Sequence, residues 1–178
     1  MKKYAVLYSS KTGNTKQLAD VLTGLLGNQC RQEVITPNMP VPEEKILLIG
    51  YWVDKGTCPE EVDQLLQALE EKQILFFATA GFGQTADYFK RIASGVEQKV
   101  SQSNRILGSF FCQGRMPDGI KMRYEKILEE NPEDQKAKIF LDNFIVARNH
   151  PDANDLKELL DFAVAHLPMN QEEGNSNV

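Results

Sequence analysis

Short, uninterrupted apolar runs alternate with segments of helical spacing over the first two thirds of the chain. This alternation constrains the fold more than any other feature. Residues 3–9 (KYAVLYS), 45–51 (KILLIGY), 73–80 (QILFFATA) and 105–112 (RILGSFFC) are strand-like runs dominated by apolar side chains. A strand with one wet face would alternate polar and apolar positions. A continuous run is buried on both faces, as in a parallel sheet covered by helices. Residues 33–36 form a shorter fifth candidate. Between the runs, 14–26 places Thr15, Leu18, Ala19, Leu22, Leu25 and Leu26 on one helical face. Gly27-Asn28 supplies a stop. Thr57-Cys58-Pro59-Glu60 reads as a helix start, with Thr57 as cap and Glu60 completing a capping box. Val62, Leu65, Leu66 and Leu69 repeat behind it, and 85–100 turns Phe89, Ile92, Ala93 and Val96 inward. Strands joined by helical crossovers predict an α/β fold, a doubly wound parallel sheet of five strands.

Two stretches depart from that rhythm. Residues 37–44 (PNMPVPEE) join the second and third strands and cannot hold a normal helix, so an extended strap is expected there. After the fifth strand the pattern is helical throughout, roughly 121–130, 134–147 and 153–167. The reading is one domain over residues 1–168, with 115–150 as a helical addition and 169–178 as a frayed tail.

Composition narrows the function classes. With 20 Lys plus Arg against 25 Asp plus Glu, the net charge is −5, which argues against a nucleic-acid backbone as the partner. No apolar run approaches the length of a membrane span, and the basic start lacks the apolar core of a secretory signal. Cys30, Cys58 and Cys112 are odd in number and widely spaced, so neither a disulfide framework nor a zinc site is expected. A reduced, cytoplasmic protein without a metal is the expectation.

The chemistry points to the loop between the first strand and first helix, Ser9-Ser10-Lys11-Thr12-Gly13-Asn14-Thr15. In an open α/β sheet, ligands sit beyond the carboxyl ends of the strands. Amides at a helix start carry partial positive charge and point outward. Hydroxyls at Ser10, Thr12 and Thr15 and the amide of Asn14 add donors, and Gly13 permits close backbone approach. The loop therefore reads as a phosphate cradle. It has neither the Walker spacing nor a GxGxxG turn. A helix cap without a ligand is the competing reading, but one hydroxyl suffices for a cap and this loop has several.

Val6 to Thr15, followed by Ala19 and Leu22, resembles the FMN-phosphate pattern of the flavodoxin family. The resemblance implies a 2-1-3-4-5 sheet and one non-covalent FMN. It implies phosphate ligands at Ser10, Lys11, Thr12, Gly13, Asn14 and Thr15, several through backbone amides. Two further loops would hold the flavin ring: Trp52, Val53, Asp54, Lys55 and Gly56 after the third strand, and Thr79, Ala80, Gly81, Phe82 and Gly83 after the fourth. Trp52 or Phe82 could stack on the ring; Trp52 could equally be a core residue, and Tyr88 reads as packing or surface. The segments Gly50 to Thr57, Cys112 to Pro117 and His150 to Asp152 resemble a single-domain branch of the family from anaerobic bacteria that includes neighbours of bilirubin reductase.

No catalytic set is visible, and none is needed where the cofactor carries the redox chemistry. Lys55, inside the expected flavin loop, would favour a reduced anion, or is a solvated lysine. Cys58 lies near a helix start that can lower a thiol pKa, or is a small buried side chain. Arg115 and Lys121 read as a partner-docking rim or a solvated face. The expected function is an FMN-binding electron-transfer flavoprotein shuttling electrons between redox protein partners, such as a reductase or a flavin-dependent enzyme. The alternatives are an FMN-dependent NAD(P)H quinone or small-molecule reductase, and a binding module that has lost FMN.

Overall fold

The computed structural model describes residues 2–83 and 85–168; the expected frayed tail, 169–178, lies outside the described residues. Five strands, β1 (Tyr4–Tyr8), β2 (Cys30–Val34), β3 (Ile46–Trp52), β4 (Gln73–Ala80) and β5 (Arg105–Gln113), form one sheet in the order β2-β1-β3-β4-β5. Every pairing is parallel. This is the expected doubly wound α/β architecture and strand order. Helices α1 (Asn14–Leu26), α2 (Glu60–Ala68) and α3 (Ala86–Glu97) form the crossovers, and α4 (Asp118–Glu130), α5 (Gln135–Ala147) and α6 (Ala153–His166) follow the sheet.

The strands β1, β3, β4 and β5 feed two cores, while β2 contributes only Cys30. Tyr4, Val6, Leu48, Leu75, Phe77 and Phe110 face α1 and α6, where they meet Leu18, Leu22, Leu159 and Ala163. Ala5, Leu7, Leu47, Ile49, Ile74 and Phe76 face α2 and α3, where they meet Val62, Leu66, Ile92 and Val96. Alternate residues of one strand thus enter opposite cores, which is why the strands read as unbroken apolar runs.

The strap holds no helix, as its prolines require, but it opens with a turn at Pro37-Asn38, where Met39 N–H donates to the Thr36 carbonyl at 3.1 Å, before running on to β3. Lys72 holds it: its buried Nζ donates to the carbonyls of Pro42 at 2.6 Å, Glu44 at 3.1 Å and Glu43 at 3.4 Å. Glu44 turns back to Arg31 on β2, with Oε1 2.7 Å from Nε. Burial is the largest single influence on Glu44 and opposes its ionisation, but the hydrogen bonds from Arg31, its own backbone amide and the charges of Arg31 and Lys72 together hold the carboxyl below its ordinary range.

Several expectations shift in detail. The second strand is Cys30–Val34 rather than 33–36, because pairing with β1 runs from Tyr4↔Cys30 onward. The capping box at α2 does not form: Pro59 is the N-cap, with no side-chain hydrogen bond. Thr57 instead pairs its backbone with Asp54, its N–H donating to the Asp54 carbonyl at 3.0 Å and its carbonyl accepting from Asp54 N–H at 2.8 Å. The final helices begin at Asp118, Gln135 and Ala153. Asp134 caps α5 through Ala137 N–H, and Asp152 with Asp155 makes a reciprocal capping box on α6.

Candidate functional site

Three loops leave the carboxyl ends of β1, β3 and β4 side by side, and a hydrogen-bonded frame holds them together. Val53 N–H donates to the Thr79 carbonyl at 2.9 Å. The buried hydroxyls of Thr15 and Thr79 are 2.9 Å apart. Ser9, the first residue of the first loop, donates from Oγ to Glu61 Oε1 at 2.5 Å.

The first loop is built as an open helix start. Gly13 is the N-cap at φ +91°, a conformation a side chain would strain, and no side chain caps the helix from that position. Ser10 Oγ accepts from the amides of Gly13 at 3.1 Å and Lys16 at 3.2 Å. Its oxygen shapes the loop, and its proton has no acceptor among the described residues. The amides of Thr12, Asn14 and Thr15 meet no acceptor among the described residues. Unpartnered amides at a helix start form an anion site. The side chains of Asn14 and Thr15 are committed elsewhere. Asn14 Nδ2 donates to Thr12 Oγ1 at 3.1 Å and to the Arg115 carbonyl at 2.9 Å. The Thr15 hydroxyl is taken by Thr79, so only its backbone N–H can face a ligand.

The second loop turns at Lys55 and Gly56, with φ +48° and +86° closed by the Asp54–Thr57 pairing. Two successive positive φ values define a tight mirror-image turn that favours glycine at its second position. This leaves the Lys55 side chain on the surface of the cleft.

Together the loops border a cleft of about 570 Å³. Of the expected residues, Lys11, Thr12 and Asn14 line its first side, Trp52, Val53, Lys55 and Gly56 its second, and Thr79, Ala80, Gly81 and Phe82 its floor and end. Ser10, Gly13 and Thr15 build the loop from below, Asp54 closes the turn, and Gly83 borders a neighbouring cavity of about 480 Å³ instead. Trp52 is half-buried and lines the cleft rather than entering the core, and Lys11 Nζ lies 4.9 Å from its ring centroid. Phe82 is 39% exposed and stacks on Phe140 of α5, 5.0 Å between centroids; Phe140 stacks in turn on Tyr124 of α4 at 4.4 Å.

The far wall comes from the helical addition. Arg115, Met116, Pro117, Ile120 and Phe140 border the cleft, as does Tyr88 of α3. Tyr88 therefore belongs to the cleft and not merely to packing. Phe140 falls within an expected helix and Ile120 just ahead of one, but nothing in the sequence tells which way the α4–α5 pair folds. A buried amide pair decides it. Asn143 of α5 donates to the Gly81 carbonyl at 2.8 Å, and Gln113 donates to Asn143 Oδ1 at 3.0 Å.

The cleft is lined by three cations, Lys11, Lys55 and Arg115, and by no carboxylate among the described residues, although the chain is acidic overall. That local inversion of charge suits an anionic ligand. The thiols stay out of the chemistry: all three cysteines are buried, and burial pushes those of Cys30, Cys58 and Cys112 up. The helix start beside Cys58 does not reverse this. The histidines lie elsewhere, His150 Nδ1 at 2.6 Å from Asp155 and His166 against Phe162. Among the described residues no helix is long and apolar enough to cross a membrane.

Comparison with known proteins places this geometry. The flavodoxin domain model matches residues 5–164. The chain is 35% identical to the flavodoxin-like domain-containing protein BilS of Clostridium symbiosum, over 93% of this chain and 96% of that one. It is 33% identical to the protein of the same description from Clostridioides difficile, over 90% and 94%. The fold is shared with oxidised flavodoxin 1 of Bacillus cereus, at TM-score 0.56 and 15% identity, covering 93% of this chain and 99% of that one.

Proposed function

The chain belongs to the flavodoxin family, in the branch of the BilS proteins, and on that premise we propose that it binds one FMN and carries electrons between redox protein partners. The observation that carries the reading is the junction of an open anion cradle with an aromatic-walled cleft. The residues fit the group. The free amides of Thr12, Asn14 and Thr15 and the unspent hydroxyl proton of Ser10 match a terminal phosphate. Trp52 and Phe82 offer faces to a flat ring, and a cleft of about 570 Å³ lies in the range of cofactor sites.

When bound, the flavin supplies the electron-accepting and electron-donating chemistry. This chain's residues bind, orient and tune. Ser10, Lys11, Thr12, Gly13, Asn14 and Thr15 hold the phosphate end. Trp52, Val53, Lys55 and Gly56 form one side of the ring site, with Asp54 closing their turn, and Thr79, Ala80, Gly81 and Phe82 form the other. The attraction of the Lys55 ammonium for negative charge grows as the two approach, so from the cleft wall it stabilises a ring that gains charge. Among the described residues the cleft is lined by no histidine and no carboxylate, a lining that suits electron transfer better than proton-coupled turnover of a small substrate.

The test uses the FMN-loaded protein. With NADPH or NADH and menadione it is expected to show no catalysed oxidation of the nicotinamide. After chemical reduction it is expected to pass electrons to cytochrome c. Sustained nicotinamide oxidation by the isolated protein would replace the carrier reading with a reductase.

A further inference from the structure

Among the described residues, Arg115 is the one cation lining the cleft that lies outside the three loops assigned to the flavin nucleotide. It follows β5, about a hundred positions from the loop it faces, and three observations bring it there. Its carbonyl accepts from Asn14 Nδ2 at 2.9 Å, which pins its backbone to the phosphate loop. It lines the main cleft beside Thr12 and Asn14. It also lines a smaller, polar cavity of about 210 Å³ whose walls are Thr12, Asn14, Met116, Pro117 and Asp118. That cavity adjoins the phosphate end of the cleft and not the end bounded by Trp52 and Phe82.

The guanidinium is only loosely held. Its Nη2 lies 3.4 and 3.5 Å from the two carboxylate oxygens of Asp118, and both side chains are more than half exposed. An exposed pair at such distances is worth little. A guanidinium gains more from the bidentate oxygens of a phosphate than from this contact.

We propose that Arg115 is the specificity-determining counter-cation of the site: it engages the terminal phosphate of the bound flavin nucleotide and makes the protein select a phosphomonoester dianion over the uncharged flavin. This rests on the FMN reading above. Asn14 positions the arginine, and Asp118 restrains it when the phosphate is absent. The backbone cradle fixes where the phosphate sits, while Arg115 adds full opposite charge, which amides alone do not.

The experiment compares FMN and riboflavin affinities by flavin fluorescence, in the wild type and in Arg115→Gln, Arg115→Lys and Asp118→Asn. Arg115→Gln is expected to weaken FMN tenfold or more and leave riboflavin within a factor of two. Arg115→Lys should recover part of the loss. Asp118→Asn should hold or tighten FMN, because it frees the arginine. Raising salt from low to high concentration should weaken FMN binding more in the wild type than in Arg115→Gln. An arginine that merely supports the start of α4 would change FMN and riboflavin affinity equally, and Asp118→Asn would then weaken both; either result overturns the proposal. A wild type that binds no FMN would instead overturn the function reading. Binding of FMN with an unchanged FMN-to-riboflavin ratio in Arg115→Gln would overturn the arginine assignment alone.

Discussion

Individual residues divide into those that frame the site and those that face it. Thr15 was expected to face the phosphate with its hydroxyl, but that hydroxyl is buried against Thr79 and joins the first loop to the third. Thr15→Val should cost about 1–2 kcal/mol, since it strands a buried hydroxyl. The double variant with Thr79→Val should be less destabilised than the sum of the two single ones, by urea denaturation; strict additivity would mean the pair does not interact. At Lys55 the effect is electrostatic. Lys55→Gln in the FMN-loaded protein should lower the flavin potential by roughly 1 kcal/mol per electron, less in high salt. Spectroelectrochemistry reads this directly. The cysteines give a third residue-level expectation. Because burial raises their thiol pKa values, little thiolate exists at pH 8, and Ellman's reagent should react within minutes only after denaturation. A fast-reacting Cys58 in the folded protein would contradict its burial.

Among elements, legibility follows how local the determining physics is. The strand β4 and the helix α1 were readable to the residue, because apolar continuity and a 3.6-residue period are written in consecutive positions. The first strand's loop was readable for the same reason: its residues are neighbours in sequence. The strand β2 was misplaced by three residues because its pattern is polar, and its position is set by pairing with β1. The failed capping box at Thr57 has a similar cause, since the Asp54–Thr57 pairing takes the backbone first. The far wall of the cleft was least legible. The helix α4 buries no residue, so its own pattern says little about where it docks. Its companion α5 is placed by Asn143 reaching Gly81, 62 positions away. Asn143→Ala should therefore loosen the pair α4–α5 by about 1–3 kcal/mol while the sheet holds. Hydrogen exchange should rise in 118–147 and stay low in β1, β3 and β4. Uniform protection loss across the sheet would show that the two helices are not a separable unit.

For the whole molecule, the sheet does one thing that no single element does. Its strand order brings the carboxyl ends of β1, β3 and β4 together, and the loops that leave them meet as one cleft. That position is where an open parallel sheet offers a ligand its helix starts and free amides. The chain then departs from the plain five-stranded plan by closing the cleft with α4 and α5, and by setting Lys11, Lys55 and Arg115 around it within an acidic whole. The proposed phosphate cradle at the start of α1 thus sits at the centre of the account. The measurement that tests it most directly is a fluorescence titration of FMN and of riboflavin with the purified protein. The account predicts saturable, one-to-one binding of FMN and binding of riboflavin weaker by at least about tenfold, as loss of a charge-assisted phosphate contact requires. Equal affinity for the two, or no FMN binding, would contradict it.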